Sequence, residues 1–114
     1  MSMQKYLFIQ RSQPAGIREP PSPAQMQEMY AHFNAWKEKF KDNIVDMGGR
    51  LKPGGKIASA DGVIDGPFVE AKEIIGGFMV VVAESYEQAL QVAKEGPGMV
   101  APGSSIEIRE IASP

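Results

Sequence analysis

The chain contains no cysteine. Disulfides, thiolate nucleophiles, iron–sulfur clusters and cysteine-ligated zinc are therefore excluded together. Histidine occurs once, at His32, and the scattered carboxylates lack ligand spacing, so no metal site is expected. There is no basic run and the net charge is -2, so the electrostatic footprint of a nucleic-acid binder is missing. The apolar run from Tyr6 to Ile9 is too short for a signal-peptide core, and no stretch approaches a membrane span. Gly48-Gly49 and Gly54-Gly55 lack the strand-to-helix context of a phosphate or nucleotide loop. The expectation is a cytoplasmic protein with no cofactor, no metal, no membrane partner and no nucleic acid.

What remains is an ordinary globular composition, 43% hydrophobic and 23% charged, which excludes disordered and collagen-like classes. A chain of 114 residues fits one domain, here taken as 1–114, with one core and little to spare. Gln4 to Gln10 reads as a strand, followed by a proline-rich loop from Arg11 to Pro21. Ser22-Pro23-Ala24-Gln25 has the residues of a helix start: a capping serine, a proline in the first turn and a glutamine three after the cap. Met26, Met29, Phe33, Trp36, Phe40 and Ile44 then recur at three and four, predicting one apolar stripe on a helix to about Asp46. That helix would be about six turns long and would cover a sheet, with Gly48-Gly49 ending it.

Arg50 to Lys52, Ile57 to Ala60 and Val63-Ile64 read as short extended runs, with Asp61-Gly62 as a two-residue hairpin turn. Asp65-Gly66-Pro67 makes a second turn, and Gly76-Gly77 reads as a third. Phe78 to Ala83 is the strongest strand signal, carrying three consecutive valines. Ser85 with Gln88 caps a second helix whose expected buried stripe is Tyr86, Ala89, Leu90 and Ala93, and Gly96-Pro97 ends it. Met99 to Gly103 is read as loop, and Ser105 to Ile111 as a closing strand. The order reads as the ferredoxin-like split βαββαβ arrangement, an α+β class. Both helices then cover one face of an antiparallel sheet, and a second copy of the chain is the simplest cover for the other.

The stretch Asp65-Gly66-Pro67-Phe68-Val69-Glu70-Ala71-Lys72-Glu73-Ile74-Ile75-Gly76-Gly77-Phe78 resembles the motif of the YCII-related, DGPF-type family, close to DGPFAETKEQLGGF. Ten of these positions match, and the order of elements resembles the family along nearly the whole chain, including the closing Glu107-Ile108-Arg109. The resemblance implies a ferredoxin-like dimeric α+β barrel, a homodimer with two sheets facing a shared interior. It implies no established activity, although some distant members are linked to small-molecule enzymology through a His–Asp pair. Ala71 stands where the motif usually has Thr. Counting back from Gly48, the position of the distant branch's histidine falls on Lys37, not His32.

The charged residues of the motif are the first candidates for chemistry. Asp65 fits a general base or ligand-orienting carboxylate, and equally a turn residue bonding its own backbone. Glu70 and Lys72 lie two apart, so on an extended segment they share a side, with Glu73 opposite. Such a pair facing a cleft has acid–base capacity, whereas on an open surface it is solvated. His32 lies about 40° from Trp36 on a helical wheel, at the border of the apolar stripe, and fits a ligand contact or an inert surface position. Arg109 alternates with apolar residues and faces either a barrel interior or solvent. Trp36, Phe33 and Phe40 read as core.

Two functions of different class follow. One is a cofactor-independent enzyme in which Asp65 or Glu70 acts as base while Lys72 or Arg109 stabilises developing negative charge. The other is a non-catalytic module that binds a small ligand in the same place. In both, Asp65, Glu70 and Lys72 are the expected catalytic or polar centre, and His32, Glu73 and Arg109 the expected ligand contacts.

Overall fold

The computed structural model describes residues 3–12, 22–52, 55–65, 74–97 and 104–112. The elements are β1 (Gln4–Ser12), α1 (Pro23–Lys39), β2 (Ile44–Arg50), β3 (Lys56–Ser59), β4 (Gly62–Asp65), β5 (Ile74–Ala83), α2 (Tyr86–Glu95) and β6 (Ser105–Glu110). Four strands form one sheet in the order β2-β5-β1-β6, and β3 pairs with β4 in a separate hairpin. Every pairing is antiparallel. The expected α+β, ferredoxin-like arrangement is thus present, with β3–β4 inserted between its second and third sheet strands. Residues 13–21, the Gly66-Pro67 turn and the loop at 99–103 lie outside the described residues.

Pairing places matched residues in rows across the sheet. Tyr6 lies opposite Val81, Phe8 opposite Met79 and Ile108, and Gln10 opposite Gly77 and Ile106. This face meets the helices, because Tyr6, Phe8, Val81 and Ala83 form the core with Trp36 of α1 and Ala89, Val92 and Ala93 of α2. Full burial of a side chain such as Val81 or Val92 contributes about 1.5–3 kcal/mol. The alternate positions, including Leu7 opposite Val80 and Arg109 and Ile9 opposite Phe78 and Glu107, point to the other face. The thinnest dimension is 18 Å, which accommodates a sheet and one helical layer and nothing more.

Both helix starts follow the sequence signals. Ser22 and Gln25 form the reciprocal capping box, with the Gln25 N–H donating to Ser22 Oγ at 3.1 Å and the Ser22 N–H to Gln25 Oε1 at 2.8 Å. At α2, the Gln88 N–H donates to Ser85 Oγ, while Gln88 Oε1 accepts instead from the Glu84 N–H, one residue earlier than in the usual box.

Several boundaries differ from the expectations. Helix α1 ends at Lys39, and Ile44 to Arg50 is strand β2. Asn43 causes the change: its side-chain amide donates to Val82 O at 2.8 Å while its carbonyl accepts from the Val82 N–H at 2.7 Å. That bidentate grip docks the chain on β5 before another helical turn forms. Gly48 and Gly49 therefore lie inside β2, where the register with β5 shifts, and Gly76-Gly77 lies inside β5. Gly48 has φ +61, and a Cβ there would sit 1.9 Å from Phe78 O; only glycine lets β2 bulge this close. The hairpin turn is Ala60-Asp61, with Gly62 (φ +139) in the closing pair opposite Ser59. In α2 the buried stripe is Ala89, Val92 and Ala93, whereas Tyr86 and Leu90 are exposed. Tyr86 is recruited sideways: its ring meets Tyr6 edge-on at 4.9 Å, and its hydroxyl accepts from the Glu110 N–H at 3.0 Å.

Candidate functional site

Helix α1 does not close on the sheet along its whole length. Of its expected stripe only Trp36 is buried, Phe33 is half-buried, and Met26 and Met29 are exposed. Trp36 fixes the C-terminal half, with its Nε1–H donating to Val92 O at 2.8 Å. Gly96 admits the indole, since a Cβ there would come within 3.1 Å of the ring. The N-terminal half stands away from the strands and leaves a cavity of about 670 Å³ beneath it, within the usual range for small-molecule pockets.

The floor follows from the register. Arg50, Gly77, Gln10 and Ile106 form one row across β2, β5, β1 and β6, and all four line the cavity. Gly77 lets β2 approach closely, since a Cβ there would come within 2.9 Å of Gly49 O, and Phe8 and Met79 supply the row behind it. Met29, Phe33 and Trp36 form the roof, and Gly96, Pro97 and Ser104 one end. The walls are mainly apolar, and Arg50 is the one charged side chain among the described lining residues. No group of three or more His, Asp or Glu residues able to hold a metal occurs among the described residues. No described helix is long and apolar enough to cross a membrane.

A model of the YCII-related domain family matches residues 4–113. The chain belongs to that family. A search of curated proteins found no match.

Within this YCII-related domain the sequence-predicted residues fall in different places. His32 is exposed and lies on the far side of Trp36 from the large cavity, in a shallow cleft of about 220 Å³ with Lys39, Phe40 and Glu95. Its Nε2 is 3.0 Å from Glu95 O, so that nitrogen carries the proton and donates. Lys39 bonds the Glu95 carboxylate, which Gln91 also approaches at 3.2 Å. The Lys39 hydrogen bond, above all, holds the Glu95 carboxyl below the usual range. Arg109 lies on the opposite face of the sheet. There Glu107 binds Arg11 at 2.9 Å and Arg109 at 3.8 Å. His32 and Arg109 therefore do not share a site. Asp65 ends β4 opposite Lys56; Glu70, Lys72 and Glu73 lie outside the described residues.

Sequence reasoning missed Gln10, Arg50 and the glycine row. The signal was present in Gly76-Gly77, since glycine inside a strand marks a bulge or a place where a ligand or backbone approaches closely. A double glycine also ends strands, so the same pair fits a turn equally well on sequence alone.

Proposed function

We propose that this YCII-related domain binds a small, mainly apolar molecule in the cavity between α1 and the sheet. The carrying observation is the apolar cavity itself, held open by the stand-off of α1 and floored by a row with glycine at its centre. A concave, mainly apolar surface of that size that opens to solvent is the kind of surface a small ligand covers. Acid–base catalysis by Asp65, Glu70 and Lys72, with Glu73 contacting the ligand, is the finer reading. It is favoured by connectivity: the motif runs directly into β5, whose Gly76 to Met79 line the cavity. Simple binding without turnover is the alternative.

A thermal-shift screen of small acids and ketones, followed by turnover assays on each hit, separates these readings. Turnover abolished by Glu70→Gln with binding retained supports the enzyme. Binding without turnover, unchanged in Glu70→Gln and Lys72→Ala, supports the binding module. A screen with no shift at millimolar ligand refutes both. A homodimer belongs to the same proposal, formed through the face bearing Leu7, Ile9, Phe78 and Val80; light scattering giving the mass of one chain at micromolar concentration would exclude it.

A further inference from the structure

We infer that the cavity takes an amphipathic monoanion, a carboxylate on a compact apolar body, with Arg50 as the residue that selects its charge. The inference rests on the cavity being a ligand site and adds the class of ligand.

Three observations carry it. Arg50 lies opposite Gly77 on the helix-facing side of β2 and lines the cavity, where it is exposed at the edge of mainly apolar walls and within reach of a bound ligand. Arg50 has no ion-pair partner among the described residues, and it is the one cation among the described residues that line the cavity. The nearest carboxylate along its own strand, Asp46, is turned back on the backbone and accepts from the Gly48 N–H at 2.8 Å.

The charge count then narrows the class. One guanidinium with no lysine in the described lining matches a single negative charge, which disfavours a phosphate dianion. The described lining offers no carboxylate, so a cationic ligand would enter without a counter-charge. The planar fork of Arg pairs a carboxylate through two parallel N–H···O bonds. The body of the ligand meets Met29, Phe33 and Trp36, and the unbranched Met29 adapts to irregular shapes.

Trp36 is the only tryptophan in the chain and lies in the cavity wall, so its emission reports occupancy directly. The test titrates the full-length protein with two pairs matched in shape but not in charge, 4-phenylbutyrate with 4-phenylbutanol and octanoate with octanol. Trp36 fluorescence and calorimetry are read together. At least one acid is expected to bind about tenfold tighter than its alcohol, the difference of one charge-assisted pair. Arg50→Met, which keeps an apolar stem at an exposed position, is expected to remove that difference and leave the alcohol unchanged. If acid and alcohol bind alike, or the preference survives Arg50→Met, the anion class is overturned while the cavity remains a ligand site. If no probe moves Trp36 emission at millimolar concentration, the cavity reading falls and this inference with it.

Discussion

Replacement of Gly48 by alanine tests whether the bulge in β2 is required by its contact with β5. Two costs act at once. At φ +61 a Cβ meets its own backbone, which costs about 1 kcal/mol. The same Cβ would lie 1.9 Å from Phe78 O and 2.7 Å from Phe78 C, whereas real Cβ contacts essentially never fall below 3.0 Å. Both atoms met are backbone, so no rotamer change relieves the clash, and β2 must withdraw by about 1.1 Å, the difference between 3.0 and 1.9 Å. That movement strains the adjacent ladder bonds, each with a net contribution of about 1 kcal/mol. A total near 3 kcal/mol follows. For 114 residues the unfolding entropy makes each kcal/mol about 4 °C, so Gly48→Ala should melt about 12 °C below the parent. Two neighbours serve as controls in the same calorimeter. Gly49→Ala meets nothing within 4 Å and should stay within about 0.5 kcal/mol. Gly62→Ala, at φ +139 and also in open space, isolates backbone strain and should lose about 4 °C. If Gly48→Ala melts no lower than Gly62→Ala, the steric account of the bulge is wrong.

Trp36→Phe removes the bond to Val92 O and part of the buried indole, and should cost about 2–3 kcal/mol in urea unfolding followed by circular dichroism; a loss under about 0.5 kcal/mol would show that α1 is held by other contacts. The Lys39–Glu95 pair should give an acid-sensitive increment of stability. Because the folded pKa of Glu95 is depressed, its contribution is present above the ordinary carboxylate range and disappears as pH falls through the lowered value. The melting-temperature gap between the parent and Glu95→Gln should therefore shrink between about pH 6 and pH 3; a gap that is constant with pH contradicts the pairing.

Much of the fold was legible because local signals agreed with the global arrangement. Ser22 and Ser85 have little else to do in those contexts than cap helices, and Val80-Val81-Val82 belongs in a central strand. The end of α1 was not legible. Phe40 and Ile44 continue the helical spacing, and the feature that breaks it, the pair of hydrogen bonds between Asn43 and Val82, joins residues far apart in sequence. The candidate site was legible only in outline. A cleft between the long helix and the sheet follows from the order of elements, but the identity of its wall depends on strand register. That register sets Arg50 beside Gly77 and Gly77 beside Gln10, three residues from three distant segments with no shared motif.

The central position of β1 has a consequence for synthesis. Both of its ladders are made with strands that emerge late: Ile9 pairs with Phe78 on one side and with Glu107 on the other. At about 5–20 residues per second, Ile9 waits roughly 3–14 s for its first partner and about 5–20 s for its second. During that interval Tyr6-Leu7-Phe8-Ile9 is an extended apolar segment with both edges open, the class of segment that pairs with neighbouring nascent chains. The polar and basic residues beside it, Lys5, Gln10 and Arg11, act as gatekeepers over those seconds. The same arrangement ties folding to completion of the chain, because a product truncated before β6 leaves β1 as an exposed edge strand.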